Sequence, residues 1–170
     1  VKRIVADEDD CHFCDCSELK AINVDKDNPV YKSVKGMLID KKNKELLKVP
    51  LKSSFKKFVI PKGVKKIHAY AIRCMTIDTL VIGKEVKKMH PYAFYCRPKT
   101  IKLGGGVKVI KTSHFDRQVN LKKLVLKNGI ERIEKRAFAD SKKLKKVVIP
   151  KSVKYVADDA FPKSCKVIRK

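Results

Sequence analysis

Apolar residues return at fixed offsets through most of the chain. An apolar pair opens each unit at Val59-Ile60, Val81-Ile82, Ile101 with Leu103, Val125-Leu126 and Val148-Ile149. Counted from Ile60, Ile82, Leu103, Leu126 and Ile149, the next apolar residue falls four places later, at Val64, Val86, Val107, Ile130 and Val153. Three further on stand Ile67, Met89, Ile110, Ile133 and Val156; five beyond those stand Ile72, Phe94, Phe115, Phe138 and Phe161. The unit recurs after 22, 21, 23 and 23 residues (60, 82, 103, 126, 149). A period in the low twenties predicts a solenoid, in which each unit covers the next and none has a core of its own. Five clear units exceed the roughly three that such a stack needs. This architecture excludes most enzyme folds.

Within a unit, alternation assigns the faces. Leu144, Val147 and Ile149 point inward and Lys145, Lys146 and Val148 outward, as a short strand requires. Pro150 ends that strand, Val153 and Val156 form a second short element, and Ala160-Phe161 reads as a brief helical turn whose ring plugs the interior. Stacked strands pair in parallel. The prediction is an α/β solenoid of about five to six repeats of 21–23 residues, with short parallel strands, brief helical turns and an irregular insert. Residues 1–24 form a degenerate N-terminal repeat, because Phe13, Leu19, Ile22 and Val24 share the spacing of Phe138, Leu144, Val147 and Ile149. Residues 25–54 are the insert: a turn at Asp27-Asn28-Pro29-Val30-Tyr31, then strands at 36–40 and 45–50 joined by the polar hairpin Lys41 to Lys44. Residues 55–170 carry the regular repeats and an end strand near Lys166–Ile168, the whole being one continuous domain.

The pattern Leu-x-x-Val-x-Ile-Pro-x-x-Val-x-x-Ile-x-x-x-Ala-Phe, plainest from Leu144 to Phe161, resembles the BspA-type leucine-rich repeat, also called the treponemal class. Asn28 to Pro50 looks like the irregular insert that often interrupts such arrays, and the resemblance covers roughly residues 13–165. Two departures, Gly104-Gly105-Gly106 in place of a proline turn and Ile72 in place of the plug phenylalanine, read as local repacking. Proteins of this family are commonly bacterial or protist surface proteins implicated in adhesion. The resemblance therefore implies a non-catalytic binding or adhesion module, at a cell surface or secreted, whose partner is a protein on a host or neighbouring cell; the lysine-rich strand face adds an anionic polymer as a second class of partner. A purely structural spacer is the alternative.

Charge sharpens the partner question. The net charge is +24 over 170 residues, and of 42 basic residues only seven are arginine. Specific nucleic-acid readout leans on arginine forks and aromatic stacking, so with no tryptophan any nucleic-acid binding is expected to be non-specific. The lysine excess has two readings, a solvated coat or a polyanion-binding surface driven by counterion release. At 44% hydrophobic and 35% charged the chain is neither disordered nor membranous, and no apolar run approaches the ~20 residues of a spanning helix, so no membrane insertion is expected. Val1 to Val5 is too short for a signal peptide and is followed by acids. A start without Met inside a repeat reads as a trimmed piece, so the missing export signal decides nothing.

The outward strand positions are the candidate site. Stacking turns Lys20, Lys56, Asp78, Lys99, Lys122 and Lys145 into one ladder, Ala21, Lys57, Thr79, Thr100, Lys123 and Lys146 into a second, and Asn23, Val59, Val81, Lys102, Val125 and Val148 into a third. Lys56, Lys57, Lys99, Lys102, Lys122, Lys123, Lys145 and Lys146 are the expected anionic contacts, with Val59, Val81, Val125 and Val148 supplying apolar area beside them. A further basic track, Lys65-Lys66, Lys87-Lys88, Lys108, Arg132 and Lys154, lies on another flank.

No catalytic constellation emerges, and no cofactor or metal is expected. Cys11, His12, Cys14 and Cys16 include zinc-type ligands, but six contiguous residues wrap a tetrahedron poorly; a local disulfide and free thiols stay open. Cys74 and Cys96 fall in consecutive repeats, bonded or simply packed, and Cys165 stands near the end. His68 and His90 occupy equivalent sites and read as exposed polar positions; His12 and His114 are scattered. Gly104-Gly105-Gly106 lacks the lysine and helix of a phosphate loop.

Overall fold

The computed structural model describes residues 13, 15–52, 55–73, 76–112, 114–115 and 117–170. Three strands open it: β1 (Tyr31–Val34), β2 (Met37–Asp40) and β3 (Glu45–Lys48), antiparallel in sequence. The first coil then runs through β4 (Phe55–Val59), β5 (Lys66–Ile67) and β6 (Ile72–Arg73). The second repeats it as β7 (Ile77–Ile82), β8 (Lys88–Met89) and β9 (Phe94–Tyr95). The third and fourth keep two strands each, β10 (Thr100–Leu103) with β11 (Val109–Ile110) and β12 (Lys123–Leu126) with β13 (Arg132–Ile133). The fifth has β14 (Lys146–Ile149) and β15 (Tyr155–Val156), and β16 (Lys166–Arg169) begins a last one.

Successive coils superpose strand on strand, giving three flanks. On the first, β4, β7, β10 and β12 form one parallel sheet, and β14 pairs with β16 in another. On the second, β3 pairs in parallel with β5 and β5 with β8, so the antiparallel hairpin extends the solenoid by one layer; β11, β13 and β15 follow as a separate sheet. On the third, only β6 and β9 pair among the described residues.

The repeat positions fill the interior. Ile60, Ile82, Leu103, Leu126 and Ile149 are buried, as are Val64, Val86, Val107, Ile130 and Val153. Val156 alone of the next column is only partly buried. Phe94, Phe115, Phe138 and Phe161 stack down the axis with centroids 5.5, 5.1 and 5.4 Å apart and planes within 11°. At the N-terminal end, Met37 and Ile39 join this core while Leu38 turns to a small second cluster with Tyr31, Leu47, Ile22 and Val24. Apolar residues on both faces of β2 thus cover the open end of the stack.

The helical turns expected at the Ala-Phe elements are not helices, and the described residues are a β-solenoid rather than an α/β one. Phe94 lies in β9, and Ala137 and Ala160 close four-residue turns, their amides donating to the Glu134 and Ala157 carbonyls. At the plugs before Phe161 the physical reason is local. Tyr70, Tyr92 and Arg136, two residues before their plugs, sit at φ 51, 64 and 55 degrees. A left-handed residue there stops the run of right-handed dihedrals that even one helical turn must nucleate.

Candidate ligand-binding face

Register on the first flank follows from the repeat spacing. Lys57, Thr79, Thr100 and Lys123 are Cα partners in one row, and Val59, Val81, Lys102 and Val125 in the next. Every lysine of the candidate set is exposed. Val59 is 49% exposed, whereas Val81, Val125 and Val148 are half-buried. Lys102 stands within the valine row. The lysine track is not continuous: Thr79 and Thr100 interrupt one ladder, and Asp78 takes the Lys99 ammonium at 2.8 Å in the other. Lys56 and Lys57 are therefore set apart at one end, and positive charge accumulates at the opposite end.

That end is also where the sheet opens. No ladder joins β12 to β14, although β13 and β15 stay paired on the neighbouring flank, Arg132 opposite Tyr155 and Ile133 opposite Val156. Between the splayed strands lies a groove of about 660 Å³. Lys122, Lys123 and Lys127 line one side, Lys146, Lys151 and Lys170 the other, with Val125 and Val148 on its floor. Of the candidate residues, Lys122, Lys123, Val125, Lys146 and Val148 come together here; Lys56, Lys57, Val59, Val81, Lys99, Lys102 and Lys145 do not line it. Lys127, Lys151 and Lys170 escaped the sequence reading because they lie after the strands or at the chain's end. Lysine repulsion alone does not open the groove, since Lys146 remains opposite Lys166 in the intact β14–β16 ladder.

The second basic track is partly neutralised. Lys108 binds Glu131 at 2.8 Å, and this hydrogen bond, with the Lys108 charge, holds the Glu131 carboxyl below the usual range. The Arg132 guanidinium lies 4.2 Å from the Tyr155 ring centre, covering that ring.

His68, expected at an exposed position, is buried, its Nδ1 3.2 Å from the Glu45 carboxylate; its ring lies 6.4 Å from that of His90, which is half-buried. The equivalent place is inside because β3 covers it. Cys11, His12, Cys14 and Cys74 lie outside the described residues, so the readings that involve them do too. Cys16 is an exposed thiol, Cys96 is buried, and burial pushes the Cys165 thiol up. Among the described residues no three His, Cys, Asp or Glu side chains gather in a metal-binding group, and no helix is long and apolar enough to cross a membrane.

Among the described residues His114 is the strongly perturbed group. Burial, then Lys111 and His90, drive its pKa from 6.5 to about 4 against a raising contribution from the Met89 backbone, and its Nδ1 accepts the Lys111 amide at 3.2 Å. The folded ring is therefore neutral. Between about pH 6.5 and 4 the unfolded chain binds the extra proton, so stability present above 6.5 falls as pH drops, by about 3 kcal/mol in all. Urea midpoints at pH 7 and 4.5 should differ markedly for the native protein. His114→Asn, which keeps an acceptor for Lys111, should narrow that gap; an unchanged gap would assign the acid sensitivity to other groups.

The fold is shared with solved bacterial proteins. A leucine-rich cell surface protein from Faecalibacterium prausnitzii superposes with a TM-score of 0.74 at 23% identity, over 93% of this chain and 44% of that one. The pneumococcal vaccine antigen PcpA gives 0.66 at 18% identity, over 89% of this chain and 50% of its own. The chain thus spans half or less of these proteins' length. No curated protein matches it. The family model for the BspA type leucine-rich repeat region matches six copies over residues 51–168. The period, the stacked phenylalanines and this match agree: the chain belongs to the BspA-type leucine-rich repeat family.

Proposed function

We propose that the protein is a non-catalytic interaction module displayed at a cell surface, and that it grips an extended acidic segment of a partner in the groove between β12 and β14. The observation that carries this reading is the local opening of the first flank where six lysines converge over an apolar floor. Like-charged side chains held around a concavity focus positive potential there more than the same charges spread over a convex coat. The half-buried Val125 and Val148 add apolar contact that a purely electrostatic coat lacks. The surface placement rests on the family and on the description of the F. prausnitzii neighbour as a cell surface protein.

A heparin column run with a salt gradient tests it by comparing two variants that lose equal charge. Lys122/Lys123/Lys146/Lys151→Ser empties the groove, and Lys65/Lys87/Lys88/Lys154→Ser removes lysines from the second flank. The groove variant is expected to elute well before the control, with a shallower dependence of affinity on salt. Equal elution would make the lysines a diffuse coat and sink the groove as a site.

A further inference from the structure

The third flank differs chemically from the rest of the surface. The chain's positive charge is otherwise mostly lysine, yet Arg73, Arg97 and Arg117 gather here beside Tyr70, Tyr92 and Tyr95. Tyr70 and Tyr92 stack across adjacent coils, ring centres 6.2 Å apart and planes within 8°. The next repeat carries Ser113 at the equivalent position, so the sequence supplies no third ring. A cavity of about 230 Å³ opens beside Tyr92, walled by Tyr95, Arg97, Arg117 and Gln118. The Tyr95 hydroxyl accepts from Arg117 at 3.4 Å, and the Arg73 guanidinium lies 5.9 Å from the Tyr95 ring centre. Tyr92 and Tyr95 stay 45% and 47% exposed, and Arg97 is exposed too. Tyrosine and arginine are among the side chains most enriched where binding energy concentrates at interfaces.

We infer that this cavity is a subsite for a single carboxylated pyranose, the uronate type of sugar unit. Such a ring has a C–H face that packs on an aromatic surface and continues the Tyr70–Tyr92 stack. Its carboxylate meets the Arg97 guanidinium, whose planar fork suits a two-oxygen acceptor. Its hydroxyls meet the tyrosine hydroxyls at the rim, which an aromatic acid would leave unused. The cavity is smaller than the roughly 300–1,000 Å³ that holds drug-sized ligands, so it accommodates one ring and not an oligomer. It shares no residue with the lysine groove and stands independently of the function proposed for that groove.

Titration of the intact chain by saturation-transfer NMR tests the inference, with sodium glucuronate as the probe, glucose as the neutral sugar and benzoate as the aromatic anion. Glucuronate is expected to bind saturably and glucose at least tenfold more weakly. Arg97→Gln should cost glucuronate about tenfold, the loss of one charge-assisted pair. Tyr92→Asn should abolish binding; asparagine tolerates the left-handed backbone at this position (φ 64 degrees), and an unchanged melting curve confirms the fold. Lys122→Ser/Lys146→Ser should leave glucuronate affinity unaltered. If Tyr92→Asn does not fold, Arg97→Gln at an exposed side chain decides alone. No glucuronate binding, binding indifferent to Arg97→Gln, or binding of benzoate alone would each overturn the inference.

Discussion

Gly105→Ala is expected to destabilise the protein by about 3 kcal/mol or more, at or beyond the upper end of ordinary overpacking. A methyl group at Gly105 would collide with the backbone carbonyl of Asn128 and stand only 2.9 Å from the Gly129 Cα. Rotamer changes cannot relieve the clash, because every atom it meets is main chain. A methyl at Gly129, whose φ is +110 degrees, would collide in turn with the Gly105 carbonyl, and one at Gly106 with the Lys84 and Val86 carbonyls. The glycine run is the place where the third coil touches both neighbours through backbone alone. Solenoid stability is roughly a sum of unit and interface contributions, so this change strikes the interfaces that join the two halves of the stack. Gly83→Ala is the control: a methyl there would meet nothing within 4 Å and its φ is not left-handed, so its effect should stay within about 0.5 kcal/mol. Equal urea midpoints for the two variants would show that the coils can slide apart without cost.

Phe138→Ala is the second large effect, at about 3–5 kcal/mol. The ring is fully buried between Phe115 and Phe161, 5.1 and 5.4 Å away, so its removal leaves a cavity bounded by two rigid planes. Phe138→Leu keeps most of the volume and should cost less, about 1.5 kcal/mol. Ile72 already shows the site's tolerance, filling the same position in the first coil at 0% exposure. Denaturant unfolding of the three proteins measures the series. An alanine variant no less stable than the leucine one would mean that Phe115 and Phe161 close over the gap.

The fold was legible because a residue's offset within the period fixes its neighbours. A repeat of 21–23 residues puts Thr79 beside Thr100 and Val59 beside Val81 in the same rows that the ladders show. Two of the missed elements were cut short by a backbone dihedral. The left-handed Tyr92 and Arg136 cut short the elements that Ala93-Phe94 and Ala137-Phe138 were expected to form, and neither residue type announces that conformation. His68 went inside because the β3 hairpin adds a layer over it, a contact outside the repeat's own arithmetic.

The sequence by itself determined the stack: which side chains face inward, which rows they join, and that the surface is basic. Those follow from period and burial, and burial dominates because each coil has no core without its neighbours. Only the tertiary structure decided where that basic surface becomes a site. The spacing from Leu126 to Ile149 equals that from Leu103 to Leu126, yet β10 and β12 are paired and β12 and β14 are not. Nothing periodic distinguishes the two intervals. The Tyr92 cavity likewise depends on side chains brought together from three coils, Tyr70, Tyr95 and Arg117, none of which occupies an inward position of the repeat. Outward residues carry no periodic constraint, so their grouping is settled by how the coils stack.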